Sequence, residues 1–406
     1  MMRKTLLPYL LIAIALTASS SHALQTRKTA AAAPVSIPFE LVTRHIVLQV
    51  KVNNSRPLSF VLDTGDRVGI IDIDVARELG LKLQGQVRVG GAGSETLPGS
   101  IVEDANWALP GLEGFSQPVR LAIPLGRLEA RFGHDFDGII GAEFIKKFVI
   151  EIDYAARVIK LHDKDKFTYA GLGEGIPIQL DQQGHPIIEA ELTPLGGSPI
   201  PGKFVLDIGA GSALALHSPF VSTHQLLNAN LKTIRSIGAG GAGGQTVGRV
   251  GRVAQLKIGK FTISNPITIF SEDKAGAFSS AALAGNIGQQ IANRFKLFLD
   301  YDHQRIIFEP AATFDDPFDR AQSGLVLAAE GGDYTIFRIT DVLENSPASE
   351  VGLQKDDVII KVNDKPASEL TMTKLGELFE RAATYSLTIR RGDQTLQVKL
   401  TPRKLV

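Results

Sequence analysis

The chain has 406 residues, enough for two or three domains, and its 44% apolar and 21% charged content is that of an ordinary globular protein. Basic and acidic residues balance at 43 each, so the net charge of zero favours neither nucleic acid nor an anionic membrane as a partner. The absence of cysteine excludes disulfides, and the eight scattered histidines lack metal-ligand spacing, so we expect no metal and no other cofactor.

The N-terminus has the pattern of a secretory signal. Arg3 and Lys4 precede an apolar stretch at 6–17, and a small-x-small cleavage pattern ends at Ala23. A membrane span needs roughly 20 apolar residues, so a cleaved signal is favoured over an uncleaved anchor. We therefore predict export to the periplasm or the cell exterior, with no membrane span after cleavage. The predicted organisation is a signal peptide at 1–23, a flexible lead-in at 24–35, two β-rich lobes at 36–166 and 173–314, and a separate module at 323–403.

The first unit consists mainly of predicted strands. Apolar, β-branched stretches at 46–52 and 58–62 are typical of strands, and the second of these leads into Asp63. A helix is predicted at 75–79, with Asp72 or Asp74 as its N-cap. We interpret these two aspartates as caps rather than as catalytic groups.

The second unit repeats the first. Phe204–Gly209 has the sequence Phe-Val-Leu-Asp-x-Gly of Phe60–Gly65, so each copy places one carboxylate in a glycine turn. An apolar motif ending in glycine follows each copy at a similar distance, at Gly138–Gly141 and Gly285–Gly288. Such a duplication indicates two lobes that meet at a centre of two carboxylates.

Each unit also has a glycine-rich stretch, at 89–94 and at 237–244. Neither stretch is followed by the Lys-Ser/Thr pair of a phosphate-binding loop, so mobile hairpin tips are favoured over a phosphate site. As flaps that contact substrate we predict Gly90, Gly91, Gly93, Gly238, Gly240 and Gly241.

The third unit predicts a small mixed module. Strands are expected at 334–339 and 357–362, a helix at 373–382, and a hairpin that turns at 391–393. About eighty residues with this pattern are typical of an independent domain.

The two repeated units resemble aspartic peptidases of the retropepsin-like and pepsin-like fold, on the evidence of Asp63-Thr64-Gly65, Asp207-Ile208-Gly209 and the motifs ending at Gly141 and Gly288. The resemblance implies a mainly β protein with two lobes related by a pseudo-twofold axis. It also implies that Asp63 and Asp207 share one proton and activate a water between them, with no fixed acid and base roles. The residues expected to support this site are Thr64, Gly65, Asp66, Ile208, Gly209, Gly141 and Gly288.

The third unit resembles a PDZ domain, because Ser346-Pro347-Ala348 is followed by Gly352-Leu353 and by an Asp-Asp-Val-Ile sequence. The resemblance implies an α+β domain that holds peptide C-termini with backbone amides of a loop. The residues expected in that loop are Gly324, Leu325, Val326 and Leu327.

Three residues depart from the peptidase pattern. Ile208 replaces a hydroxyl residue, so only Thr64 is expected to form the hydrogen bonds that link the two turns beneath the pair of catalytic aspartates, called the dyad below. The missing hydrogen bond is worth about 1 kcal/mol. Asp66 replaces a small residue and either raises the pKa values of the dyad or points outward to pair with Arg67. Asn286 replaces an apolar residue in the second glycine motif.

The sequence therefore predicts an exported aspartic endopeptidase that acts on polypeptides. Its PDZ module would recruit substrates or regulate the enzyme, and the internal duplication favours a monomer with an intramolecular pseudo-dimer. A catalytically degenerate peptide-binding adaptor is the alternative; Ile208 and Asp66 favour it, whereas the retention of both aspartates argues against it. A carbohydrate-binding protein or a glycosidase is disfavoured by the long-range register of the repeat.

Overall fold

The structure, a computed structural model, describes residues 33–239, 241–318 and 322–406. It is mainly β, with 44% strand and 13% helix. The predicted signal peptide and most of the predicted lead-in lie outside the described residues. The first strand begins at Val35, one position before the predicted start of the first unit.

The first unit has thirteen strands and three short helices. Its strands are β1 (Val35–Pro38), β2 (Glu40–Val42), β3 (His45–Val52), β4 (Leu58–Leu62), β5 (Ile70–Asp72), β6 (Lys82–Gly90), β7 (Thr96–Glu103), β8 (Asn106–Ala108), β9 (Gln117–Pro118), β10 (Leu121–Ile123), β11 (Gly138–Ile140), β12 (Val149–Asp153) and β13 (Val158–His162). Its helices are α1 (Ile73–Glu78), α2 (Gly126–Phe132) and α3 (Ala142–Ile145). Asp72 caps α1, with its side chain accepting from the amides of Asp74 and Val75, so Asp72 is a cap as predicted.

The second unit continues with twelve strands and two α-helices in its described part. The strands are β14 (Glu174–Leu180), β15 (Pro186–Thr193), β16 (Ile200–Leu206), β17 (Leu214–Leu216), β18 (Ile234–Ala239), β19 (Gln245–Arg252), β20 (Gln255–Ile258), β21 (Phe261–Ser264), β22 (Ile267–Ser271), β23 (Gly285–Ile287), β24 (Phe295–Asp300) and β25 (Arg305–Pro310). The α-helices are α4 (Ser218–Thr223) and α5 (Gln289–Ala292), and 3-10 turns lie at Gly241–Gly243 and Ala277–Ser279.

Strand pairing repeats between the two units. In the first, β11 lies between β4, to which it is parallel, and β5, to which it is antiparallel. In the second, β23 lies in the same way between β16 and β17. Strands β10 and β22 then add parallel to β5 and β17, and each flap hairpin follows at the outer edge. The duplication seen in the sequence is therefore also a duplication of topology.

One sheet and one apolar core join the two units. Strand β12 pairs antiparallel with β24, so the sheet β1-β13-β12-β24-β25-β14 runs from one unit into the other. A single cluster of buried apolar side chains extends from Ile37 to Phe318. The two halves consequently bury their apolar surface together rather than as independent domains.

The third unit has its own sheet and core. Its elements are β26 (Leu325–Glu330), β27 (Ile336–Val342), α6 (Pro347–Glu350), β28 (Val358–Val362), β29 (Lys365–Pro366), a 3-10 turn (Ala367–Glu369), α7 (Met372–Phe379), β30 (Tyr385–Arg391) and β31 (Gln394–Leu400). The strand order is β26-β27-β28-β30-β31, with β29 beside β28. A second apolar cluster fills this unit, including Phe337, Leu375 and Leu387, each fully buried. The predicted helix ends earlier than expected, at Phe379 instead of residue 382.

Candidate active site

Asp63 and Asp207 lie at equivalent positions, at the ends of two corresponding strands of the two units. Each aspartate directly follows a buried strand, β4 or β16. The amide of Asp63 donates to the carbonyl of Ile140 at 3.0 Å, and the amide of Asp207 donates to that of Ile287 at 2.9 Å. Each carboxylate is thus anchored by the neighbouring parallel strand, which ends in the glycine motif of its own unit.

The two carboxylates meet across the interface between the units. The carboxyl groups of Asp63 and Asp207 lie close enough for the charge of Asp207 to raise the pKa of Asp63. Gly65 lies against both of them: a Cβ at this position would be 2.9 Å from Asp207 Oδ1 and 3.1 Å from Asp63 Oδ1. A Cβ on Gly209 would collide with the carboxylate of Asp63. Both glycines are therefore required by close approach, and the duplicated turns form one centre.

Backbone amides orient the inner oxygens of the pair. Gly65 N donates to Asp63 Oδ1 at 2.6 Å, and Gly209 N donates to Asp207 Oδ1 at 3.1 Å. The glycines that end the two motifs pack on the same loops, since a Cβ on Gly141 would lie 2.7 Å from Asp66 O and one on Gly288 would lie 2.7 Å from Ala210 O.

The side-chain hydrogen bonds beneath the carboxylate pair come from the first unit alone, as expected. Thr64 is fully buried, and its hydroxyl donates to Leu206 O at 2.6 Å while accepting from Ile208 N at 3.0 Å. Ile208 is equally buried but has no polar atom in its side chain. The first unit therefore holds the second turn by two hydrogen bonds that the second unit cannot return.

Burial and mutual repulsion raise the pKa values at this centre. Burial, together with the charge of Asp207, places the pKa of Asp63 well above its ordinary value. Burial also raises the pKa of Asp207, against the opposing effect of hydrogen bonds from Asn286 and Gly209. Since ionisation of one carboxylate opposes that of the other, the pair favours a state with one shared proton.

Asp66 forms a third acidic group beside the pair. Burial and the charge of Asp207 raise the pKa of Asp66 to about 6. Its own charge contributes to the raised pKa of Asp63, so Asp66 acts on the dyad, which is the first of the two expected alternatives.

Asn286 and His217 distinguish Asp207 from Asp63, and sequence analysis did not assign either residue a role. Asn286 Nδ2 donates to Asp207 Oδ2 at 2.9 Å, and His217 Nε2 lies 3.0 Å from Asn286 Oδ1. Burial lowers the pKa of His217, so its imidazole is neutral at pH 7. The corresponding position of the first unit is Ile139, which offers no donor to Asp63.

The predicted flaps form hairpins whose tips contact each other. Glu95 N in the first tip donates to Gly243 O in the second at 2.8 Å. The first tip also contacts the 3-10 turn at Ala277–Ser279, where Ala277 N donates to Gly91 O at 3.2 Å. A Cβ on Gly93 would lie 2.6 Å from Gln245 O. Gly90 and Gly238 lie at or near the strand ends of these hairpins, Gly241 begins the 3-10 turn, and Gly240 lies outside the described residues.

The four residues predicted to bind a peptide C-terminus lie in the third sheet, apart from the dyad. Gly324 has a φ of +83° and precedes β26, which begins with Leu325, Val326 and Leu327.

Within the described ranges, no group of three or more histidine, cysteine, aspartate or glutamate side chains is placed to hold a metal ion. No described helix combines the length and the apolar character needed to cross a membrane.

Comparison with known families agrees with this arrangement. Residues 48–144, which include Asp63 and Gly141, match the family model described as aspartyl protease, and residues 338–391 match the one described as PDZ domain. The chain carries an aspartyl protease domain and a C-terminal PDZ domain.

Individual relatives cover little of the chain. The serine protease HTRA1 of Xenopus laevis is 30% identical over 67 residues, which make up 16% of this chain and 14% of that protein. A photosystem II D1 C-terminal processing protease is 19% identical over 22% of this chain and 24% of its own, with a TM-score of 0.20. An HtrA3 PDZ domain bound to a phage-derived ligand is 23% identical over 21% of this chain and 86% of its own, with a TM-score of 0.19. The chain thus spans only a small part of the curated relative that it matches.

Proposed function

We propose that the protein is an aspartic-type endopeptidase whose two β lobes, related by a pseudo-twofold axis, share one catalytic centre. The close approach of the half-buried carboxyl groups of Asp63 and Asp207, both of which lie against Gly65, carries this proposal. Equivalent strands and glycine turns of the two units deliver these groups. A binding groove has no need of two adjacent carboxylates, whose mutual repulsion costs stability.

In the proposed mechanism Asp207 is the base and Asp63 the acid. The donor from Asn286 favours the ionised form of Asp207, whereas Asp63 has no such partner and holds the shared proton. Asp207 takes a proton from water as the water oxygen attacks the carbonyl carbon, and Asp63 donates its proton to the carbonyl oxygen. The resulting gem-diol collapses when Asp207 passes its proton to the amide nitrogen, the C–N bond breaks, and Asp63 regains a proton from a hydroxyl group.

The flap hairpins would hold substrate above this centre. Their exposed backbone groups suit an extended polypeptide, and closure of the tips at Gly93 and Gly243 would exclude water during hydrolysis. The PDZ domain supports binding of peptide C-termini, through which we propose that it recruits substrates or regulates the lobes. We further propose that the protein is exported and that it acts as a monomer.

Cleavage of an unfolded protein between roughly pH 3 and 8 tests the function. The wild-type protein should cleave, with most activity on the acid side of neutrality, and mass spectrometry should identify the cut sites. Folded Asp63→Asn and Asp207→Asn variants should each lose cleavage, because a single carboxyl group cannot serve as both base and acid. Asp74→Asn is the matched control, since Asp74 is an exposed residue of helix α1, and it should cleave normally.

The second candidate function is a peptide-binding adaptor with a degenerate peptidase fold. Ile208 favours it, because this residue removes half of the grip beneath the dyad. An adaptor predicts no cleavage at any pH and retained peptide binding in wild type and both asparagine variants. Either aspartate variant cleaving as well as wild type would likewise contradict the two-aspartate mechanism.

A further inference from the structure

The PDZ domain has a peptide groove between a sheet edge and a helix. Strand β26 ends the described strand order of this sheet and pairs there only with β27, so its other edge is open to an added strand. The first residue of helix α7, Met372, lies near Ala329 of this strand, because a Cβ on Gly133 would contact the Cβ atoms of both residues. A peptide that pairs with β26 and places its C-terminus at residues 324–327 would run along the strand past Ala329.

A segment of the peptidase domain already lies in this groove. Gly133, which ends helix α2 with a φ of +62°, sits between strand β26 and helix α7. A Cβ on Gly133 would lie 2.8 Å from Met372 Cβ and 3.2 Å from Ala329 Cβ. Helix α2 itself packs along strand β26. A peptide therefore cannot pass Ala329 while helix α2 is docked.

Three polar contacts hold the peptidase domain in this position. Tyr334 donates its hydroxyl to Glu129 Oε2 of helix α2 at 3.3 Å. The amide of Thr43 donates to Thr373 Oγ1 of helix α7 at 3.1 Å. Next to it, Arg44 forms an ion pair with Glu380. These contacts involve helix α7, its C-terminal end and the turn that follows strand β26.

Helix α2 is also linked to the first flap. Arg127 Nη1 lies 2.8 Å from Glu95 Oε2, and Glu95 N donates to Gly243 O in the opposite flap. The turn that carries Thr43 leads to His45, which lies beside the second catalytic loop: a Cβ on Gly211 would be 3.3 Å from His45 Cε1. The docked PDZ domain therefore supports the closed flap on one side and the Asp207 loop on the other.

We propose that helix α2 blocks the PDZ groove in the resting enzyme, and that a peptide C-terminus displaces it and thereby opens the flaps to substrate. This inference rests on the proposed function. The activating partner is an unstructured polypeptide end with a free carboxylate and an apolar last residue. Strand β26 and helix α7 carry apolar side chains that are partly exposed, among them Leu325, Leu327 and Leu378.

Two variants with matched controls test the docking without a known ligand. Gly133→Leu would collide with Met372, whereas Gly80→Leu imposes the same kind of left-handed strain (φ +64°) after helix α1 with no described atom within 4 Å of its Cβ. Glu380→Lys would repel Arg44, and the double variant Arg44→Glu/Glu380→Lys would restore an ion pair with the charges exchanged.

Hydrogen exchange and cleavage rate are the two measurements, made on the full chain. Gly133→Leu and Glu380→Lys should lose amide protection at 126–133 and 90–96 and cleave an unfolded protein about fivefold faster or more. Gly80→Leu and the charge-exchanged double variant should match wild type. A short peptide ending in a free valine carboxylate should reproduce the loss of protection in wild type, whereas the same peptide ending in an amide should not.

Two results would overturn the inference. One is unchanged protection at 126–133 in both Gly133→Leu and Glu380→Lys; the other is peptide binding to wild type that leaves this protection intact. A protein with no peptidase activity would still show the exchange differences, so failure of the proposed function and failure of the docking remain distinguishable.

Discussion

At the scale of single residues, Asn286 and His217 make the carboxylate pair asymmetric. Because Asn286 Oδ1 can only accept, the hydrogen bond between it and His217 Nε2 requires the tautomer protonated at Nε2, and it leaves Asn286 Nδ2 to donate to Asp207. Hydrogen bonding to a carboxylate favours its charged form. The fold therefore assigns Asp207 the lower proton affinity, although equivalent strands carry the two carboxylates.

Removing this hydrogen bond should change the pH profile. In Asn286→Leu the pKa of Asp207 rises further, because burial is no longer opposed by the amide donor. The base must be ionised to act, so the acidic limb of the kcat/KM profile should move to higher pH. A hydrogen bond to a charged group contributes about 1.5–3 kcal/mol, so kcat/KM at a pH on the acidic limb should fall roughly 10- to 100-fold.

Ile139→Leu is the control for this prediction, because Ile139 occupies the matching position of the first unit and donates no hydrogen bond. It should leave the acidic limb in place. An Asn286→Leu profile whose acidic limb coincides with that of wild type would contradict the assignment of Asp207 as base.

The two carboxylates were predictable from the sequence, whereas the hydrogen bonds that join His217, Asn286 and Asp207 were not. Each aspartate lies in a local pattern that the chain repeats, so two copies reveal the centre. Asn286 and His217 lie 69 positions apart and meet only because β17 and β23 are neighbours in the folded sheet. The one available signal was a polar residue at a strand position that is apolar in the other copy, since a buried amide requires partners.

At the scale of elements, the flap hairpins depend on glycine for their mutual contact. Strands β6 and β7 carry the first tip, and strands β18 and β19 carry the second. The backbone of Gly93 lies so close to Gln245 O and to Gly243 that no side chain fits between them. Contact between the tips thus uses main-chain atoms, which suits recognition of a substrate backbone.

Substitution at this contact should weaken substrate binding. The methyl group of Gly93→Ala would lie 2.6 Å from Gln245 O, so the tips must separate. We expect KM to rise roughly 3- to 10-fold, the equivalent of about 1 kcal/mol, as measured by steady-state cleavage of a peptide. In the control Gly90→Ala the nearest atom is Thr96 Cγ2 at 4.0 Å, and KM should not change. Equal KM values for the two variants would argue against closed tips as part of substrate binding.

Element types were more predictable than element ends. Helix α7 was expected to reach residue 382, and Glu380, Arg381 and Ala382, which follow its observed end, all have good helix propensity. It stops at Phe379 because the chain must place Tyr385 at the start of strand β30, where its hydroxyl donates to Leu378 O at 2.5 Å. Packing against the sheet therefore outweighs local propensity.

At the scale of the whole molecule, two separate apolar cores explain why the two catalytic units form one body and the PDZ domain another. The first core and the shared sheet join both catalytic units, so the dyad is built into one continuous structure. The PDZ core is separate, and polar contacts such as Tyr334 with Glu129 contribute to its docking. A boundary of this kind can open at low cost, whereas separation of the two catalytic units cannot.

The docking of the PDZ domain was beyond prediction from sequence. Tyr334 and Glu129 lie 205 positions apart, and Thr43 and Thr373 lie 330 apart. Neither pair belongs to a repeat or a periodic pattern. The duplicated units could be matched to each other, but nothing within the chain duplicates the surface that joins them to the third unit.

The central claim is that Asp63 and Asp207 act as one unit that holds the attacking water. The most direct test is calorimetric binding of a peptide taken from a mapped cut site, with its scissile bond replaced by a hydroxyl-bearing statine group that mimics the gem-diol. A second peptide lacking only this hydroxyl is the comparison. The hydroxyl should increase affinity at least about 100-fold in wild type and not in Asp63→Asn or Asp207→Asn. Equal affinity of wild type for the two peptides would contradict a catalytic centre formed by the paired aspartates.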